Sequence, residues 1–135
     1  MKLPRLFPSS FITKTLNITP HALKYLRYAK VITPQKIHNT KYAYTFNDIK
    51  ILFLIRSLRP IFSLQQLRPL VSHLSGAIKH LAFKDLRTSA FIIIKPSQVD
   101  MQCMLVTGKY AYSDDLPLIN VYLSHLADKI DSSYA

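Results

Sequence analysis

The sequence predicts a mainly α protein, with a head of four helices that carries a small β-hairpin between its second and third helix, followed by a small α+β unit. Three observations predict it. Apolar residues recur at helical spacing through most of the first half, period-two alternation is confined to short segments, and the excess of positive charge sits entirely on the helical half. Residues 1–74 carry twelve Lys and Arg against one acid, Asp48, which matches the whole chain's net charge of +11. Residues 75–135 balance six bases with six Asp. The head is therefore expected to span 1–74 and the second unit 75–135.

The first helix is expected over Ser9 to Leu16, with a serine cap ahead of apolar residues at helical spacing. Asn17 should turn the chain, because asparagine enters the left-handed region more cheaply than most residues. Thr19-Pro20 reads as an N-cap followed by proline at the first helical position. The helix it opens runs to about Ala29, with Leu23 and Leu26 inward and Lys24, Tyr25, Arg27 and Tyr28 on the remaining faces. Extended arms from Val31 to Lys41 and on to Tyr44, cornered at Asn39-Thr40, predict the hairpin.

Thr45 and Asp48 form a capping-box pattern for a helix from Phe46 to about Leu58 that is apolar nearly all round and should be the buried spine. Ser63 and Gln66 form a second box for a helix bearing Leu64, Leu67, Leu70, Val71 and Leu74, in which Pro69 predicts a kink or an early end. Beyond Gly76, residues 77–87 show helical spacing, whereas Phe91–Ile94 and Met101–Val106 suggest short strands. Ser113-Asp114-Asp115 suggests the start of a last helix with Ile119, Tyr122, Leu123, Leu126 and Ile130 along one stripe.

Charge asymmetry of this size creates a local field suited to a polyanion. A membrane is the weaker candidate. The longest clean apolar runs, Ile51 to Ile55 and Ala90 to Ile94, fall far short of the roughly 20 residues that span a bilayer. The beginning, Met1 to Arg5, has no apolar stretch of a secretory signal, and with one cysteine, Cys103, no internal disulfide can form, so a reducing cytoplasm is the expected compartment. The chain has two glycines and no Walker, Ser-His-Asp or glycine-rich nucleotide pattern, so an enzyme is the least favoured class and no cofactor is expected. His21, His38, His73, His80 and His125 are scattered rather than set at metal-ligand spacing, and Asp114 and Asp115 fit a helix start better than a catalytic pair.

Ile18-Thr19-Pro20-His21-Ala22-Leu23-Lys24-Tyr25, Val31-Ile32-Thr33-Pro34, Tyr44-Thr45, Ile55-Arg56-Ser57-Leu58-Arg59 and Phe62-Ser63-Leu64-Gln65-Gln66-Leu67-Arg68 follow one another in this order. Together they resemble the MerR (mercury-resistance-regulator) family of bacterial winged helix-turn-helix proteins over about residues 8–74. The resemblance implies a sequence-specific transcriptional regulator whose second helix enters the major groove of double-stranded DNA while the hairpin, the wing, reaches flanking backbone. It places Lys24 where the family usually has a DNA-contacting arginine, Tyr25 at a phosphate-contacting tyrosine, Lys36 at a wing arginine and Tyr44 at the wing's closing tyrosine. Relatives bend and untwist promoter DNA to align polymerase elements, which makes RNA polymerase a candidate partner and the nucleoid the expected location.

The interface expected on this basis comprises Thr19, His21, Lys24, Tyr25, Arg27 and Tyr28 around the second helix, and Lys36, His38, Lys41 and Tyr42 on the hairpin. Lysine positions more than it reads, which makes Arg27 the better base reader if it faces the groove. Lys50, Arg56 and Arg59 are expected on a solvated face. Three features depart from the family: Thr40-Lys41-Tyr42 stand where its wing reads Gly-Tyr-Arg, Arg27 replaces an acid, and Lys30 replaces a glycine. The single cysteine argues against the metal and redox sensing of some relatives. A homodimer on a pseudo-palindromic site is expected, since one small reading head rarely supplies enough specificity. No long coiled coil is legible after the fourth helix, so residues 75–135 are expected to be a dimerisation or effector module of another design. Two alternatives stand beside this reading: an excisionase-like or plasmid-maintenance architectural factor, and an interaction adaptor that has lost DNA binding, suggested only by the altered wing.

Overall fold

The structure, a computed structural model, describes residues 3–38, 41–60, 62–94, 102–107 and 118–134. The protein is mainly helical, with two small antiparallel sheets, and divides into two compact units, residues 1–61 and 62–135. The division falls after Ile61 rather than after residue 74, so the fourth helix belongs with the second unit, where its backbone lies against the strand Gln102–Thr107.

In the first unit a two-residue strand, β1 (Phe7–Pro8), leads directly into α1 (Ser9–Thr15). The expected serine cap is not used. Pro8 occupies the N-cap position without a side-chain cap bond, because pairing of Phe7 with Tyr44 and Pro8 with Ala43 fixes the entry of the helix one residue earlier. Asn17 turns the chain at φ 56°, as its chemistry predicts. The Thr19 hydroxyl then accepts the Ala22 N–H at 3.1 Å and opens α2 (Pro20–Tyr28), in which Leu23 and Leu26 are the buried residues.

The end of α2 is a Schellman motif: Val31 N–H donates to the Leu26 carbonyl and Lys30 N–H to the Arg27 carbonyl, both at 3.0 Å. That closure puts Lys30 at φ 58°, a conformation in which a β-carbon is strained. Strands β2 (Gln35–His38) and β3 (Lys41–Tyr44) form the expected hairpin, but β1 joins it, giving the order β1-β3-β2. Gln35 pairs with Ala43, Lys36 with Tyr42 and His38 with Lys41, with a register shift between Lys36 and His38. The Asn39-Thr40 corner lies outside the described residues.

Helix α3 (Phe46–Leu58) starts on the reciprocal Thr45 and Asp48 box and is the buried spine, with Ile49, Leu52, Leu54, Ile55 and Leu58 almost wholly enclosed. Lys50 departs from the expected solvated face. It is 1 % exposed, with its ammonium 5.0 Å from the centre of the Phe46 ring one turn earlier, a cation-π arrangement that an aliphatic stem lying along an apolar helix permits. Arg56 and Arg59 are exposed as expected, and Arg56 Nε donates to the Asn17 carbonyl at 3.3 Å.

In the second unit the Ser63 and Gln66 box opens α4 (Leu64–Ile78). The helix does not end early at Pro69, which lies on an exposed position, and it continues through Gly76. Its turns are held from elsewhere on the helix, where Leu64, Leu67, Leu70 and Ile78 are buried. A 3-10 helix (Phe83–Thr88) replaces most of the helical continuation expected over 77–87. Strands β4 (Ser89–Ile94) and β5 (Gln102–Thr107) pair antiparallel, with Cys103 opposite Ile93. The last helix requires correction: Leu118–Tyr122 is a strand, β6, paired with the other edge of β4, and α5 begins at Leu123 and runs to Ser133. Leu-Ile-Asn-Val-Tyr suits a strand as well as a helix stripe, and the free edge of β4 decides it by satisfying backbone groups that a helix would satisfy internally. The Ser113-Asp114-Asp115 cap falls outside the described residues. Leu86 of the 3-10 helix and Leu123, Leu126, Ala127 and Ile130 of α5 are buried, and Arg87 pairs with Asp128 and Asp131 across the same two elements.

Two backbone substitutions follow from this packing. Lys30→Gly should stabilise the first unit by about 1 kcal/mol, because glycine occupies the left-handed cap without the β-carbon penalty; a higher urea midpoint at unchanged slope is the expected reading. Gly76→Ala should stabilise α4 by roughly 0.5–1 kcal/mol, since the added methyl meets nothing within 4 Å.

Candidate functional site

The candidate site is assembled on α2 and the hairpin. With Leu23 and Leu26 buried, the spacing of three and four residues forces His21, Lys24, Tyr25 and Tyr28 onto one outward stripe, and all four are exposed. Tyr25 is 53 % and Tyr28 85 % exposed, so neither ring is packed into the core of the unit. From His21 to Tyr28 the stripe is about 10 Å long at 1.5 Å per residue.

Arg27 lies off this stripe. It is half-buried, Nη1 donates to the Tyr44 hydroxyl at 2.7 Å, and its guanidinium carbon lies 4.3 Å from the centre of the Tyr42 ring. Tyr42 and Tyr44 share one face of β3 because strand side chains alternate, and Lys36 is the cross-strand partner of Tyr42. The residues singled out from the sequence are thus joined in a row from helix to hairpin: Arg27, Tyr42, Lys36. Lys36, His38 and Lys41 are all exposed, and Tyr42 is half-buried. Thr19 is exposed but its oxygen is engaged in the helix cap.

Two features escaped the sequence reading. The expected core position of Tyr44 is found, but its hydroxyl receives the Arg27 donor, a link between residues 17 apart that helix periodicity does not encode; the signal was the pair of tyrosines at i and i+2 after a helix with arginine in its last turn. An open groove of about 510 Å³ lies between the start of α1 and the hairpin, with Leu6 and Ile37 exposed on it and Lys41 and Tyr42 its titratable lining residues. It brings together no acid–base pair. Among the described residues no three His, Cys, Asp or Glu side chains gather as metal ligands, and no helix is long and apolar enough to cross a membrane.

The electrostatics of the first unit are one-sided. Residues 1–61 hold eleven Lys and Arg and one acid. That acid, Asp48, is turned to the start of α3, where its carboxylate accepts the Thr45 N–H at 2.9 Å while the Thr45 hydroxyl accepts the Asp48 N–H at 3.1 Å. Burial raises the Asp48 pKa above its ordinary 3.8, against hydrogen bonding of the carboxylate to the backbone and the side chain of Thr45, which lowers it. The outward stripe therefore has no carboxylate of its own unit to neutralise it. The arrangement can take an anion with several acceptor oxygens spaced along a surface, and it offers aromatic faces and hydroxyls beside the cations.

No family model and no curated protein matches the chain.

The raised Asp48 pKa has a sign that can be measured. The folded state binds this proton more tightly than the unfolded chain, so the associated stability is fully present below 3.8 and is lost as pH rises through the folded value. Asp48→Asn keeps an oxygen for the Thr45 N–H and removes the titration. The stability of the variant relative to the parent should accordingly be greatest at neutral pH and decline as pH falls toward 3.8, read from urea unfolding across that range.

Proposed function

We propose that the first unit is a winged helix-turn-helix that binds double-stranded DNA, with the outward stripe of α2 in the major groove and the hairpin on the flanking sugar-phosphate backbone. The observation that carries this reading is the exposed row His21, Lys24, Tyr25 and Tyr28 on a helix packed by Leu23 and Leu26. A major groove about 12 Å wide accepts one helix, and a stripe of this length spans about three base steps at 3.4 Å each. Lys24 and the hairpin lysines Lys36 and Lys41 supply charge for phosphates, the tyrosine hydroxyls supply further phosphate bonds, and His21 and the tyrosine rings meet base edges and thymine methyl groups.

The resemblance to MerR proteins and the charge asymmetry support the same assignment. On this reading the protein is a transcriptional regulator that acts as a dimer on a pseudo-palindromic site, with the second unit, whose three-stranded sheet and two helices are unlike a long coiled coil, serving as the dimerisation or effector module. RNA polymerase is the further partner that promoter realignment would require.

Selection of duplexes from a random pool by the full chain tests binding, symmetry and half-site spacing together. On a selected duplex, Lys24→Ala should weaken binding by about 1–3 kcal/mol and flatten the dependence of log K on log salt by about 0.9 for each protomer's lost phosphate contact. Lys36→Ala with Lys41→Ala should flatten it by about twice that. A folded Lys24→Ala chain with unchanged affinity and unchanged salt slope would show that α2 is not the reading helix.

A further inference from the structure

The first unit contains an arginine beside its exposed cations whose guanidinium is engaged by its own fold. We propose that Arg27 is a positioning residue, which acts on duplex binding through the hairpin and not through a base or phosphate contact of its own. This rests on the reading of the first unit as a duplex binder.

Three observations carry it. Tyr44 has no exposed surface, and its hydroxyl receives Arg27 Nη1 at 2.7 Å, a charge-assisted bond sheltered from water. The Tyr42 ring lies under the same guanidinium at 4.3 Å, so one planar group holds two successive same-face residues of β3. Strand β2, in contrast, has no buried residue, and its register shifts between Lys36 and His38. A two-stranded ribbon is marginal by itself. The placement of Lys36, His38 and Lys41 relative to α2 therefore passes through β3, which is held by the short β1 pairing on one side and by Arg27 on its tyrosine face. An arginine in this place does what lysine cannot: its flat fork stacks on one ring while donating to the next. The remaining cations of the stripe and hairpin, Lys24, Lys36 and Lys41, are all lysines on exposed positions.

The decisive variant is Tyr44→Phe, because it removes only an enclosed hydroxyl that no duplex can reach. It is compared with Arg27→Ala and Arg27→Lys in the full chain, each checked for folding by circular dichroism. In the free protein, hydrogen exchange at the amides of Gln35–His38 and Lys41–Tyr44 should quicken about tenfold in all three variants, the scale of one lost charged hydrogen bond. On a duplex selected by the unaltered chain, all three should raise Kd by about tenfold, with Arg27→Lys giving no rescue although it keeps the charge. The combined Lys36→Ala and Lys41→Ala substitution, costly in the parent, should cost much less in the Arg27→Ala background, because the hairpin is no longer held where those cations work.

The proposal is overturned if Arg27→Ala weakens binding while Tyr44→Phe does not, if Arg27→Lys restores affinity, or if the hairpin lysines cost the same in both backgrounds; any of these makes Arg27 a direct contact. Unchanged hairpin exchange in every variant removes the clamp itself. Failure of the unaltered chain to select any duplex, with hairpin exchange still quickened, removes the duplex reading and with it the role of Arg27 in binding, while leaving the internal link standing. The two failures are thereby told apart.

Discussion

The first unit depends on the burial of Leu23 and Leu26. Each is worth about 1.5–3 kcal/mol in transfer from water, and they are the buried positions of a nine-residue helix that otherwise has no apolar stripe. Fixing those two side chains fixes the helix rotation, and the rotation decides every other position: His21, Lys24, Tyr25 and Tyr28 have nowhere to go but outward, and Arg27 is carried to the flank where the hairpin begins. The caps on either side set the length. Thr19 starts α2 and the Schellman closure at Lys30 ends it, so the chain is redirected into the hairpin immediately after the last turn.

Lys30 shows what this design costs. A left-handed residue with a β-carbon is unfavourable by about 1–2 kcal/mol, and glycine would avoid most of it. The chain instead carries a cation there, in a unit that already holds ten others and one acid. Self-repulsion among so many like charges opposes folding, and the enclosed α3 spine supplies the opposing term, with even Lys50 drawn into the apolar interior. Strain and repulsion are thus concentrated in the unit that presents the exposed stripe, whereas the second unit nearly balances its charges, seven Lys and Arg against six Asp, and ties Arg87 to two aspartates on α5.

The sequence made legible whatever is decided within one turn of the chain. The Thr19 cap, both reciprocal boxes, the Asn17 turn and the inward leucines of α2 depend on residues three or four apart, and each was found where the residues predict it. What was not legible depends on partners distant in sequence. Nothing local distinguishes Leu118–Tyr122 as a strand from the first turn of a helix; the choice belongs to the open edge of β4, more than twenty residues earlier. Phe7–Pro8 is a strand only because β3 lies beside it, and that pairing displaces the serine cap. Whether Arg27 faces the groove is left open by the sequence, because helix periodicity describes its own helix and is silent about Tyr42 and Tyr44. The continuation of α4 past Pro69 belongs to the same class, since burial at Leu67 and Leu70 outweighs one missing hydrogen bond at an exposed position.

Engaging Arg27 within the scaffold while leaving Lys24, Lys36 and Lys41 exposed has a consequence for recognition under the proposed reading. Arginine is the residue that pairs with guanine through two parallel hydrogen bonds, whereas lysine is a flexible point charge suited to phosphate. With Arg27 engaged by Tyr42 and Tyr44, the cations left on the stripe and the hairpin fix register and affinity more than they discriminate bases. Discrimination then falls to His21, Tyr25 and Tyr28 and to the fixed offset between helix and hairpin, which measures the path of the backbone and hence the shape and deformability of the duplex. A head of this kind reads poorly alone and well in pairs, because the spacing between two rigid heads adds geometric information that lysines cannot supply. On the proposed reading the offset between α2 and the hairpin is part of the specificity, and the 2.7 Å bond from Arg27 to the Tyr44 hydroxyl is the contact proposed to fix it.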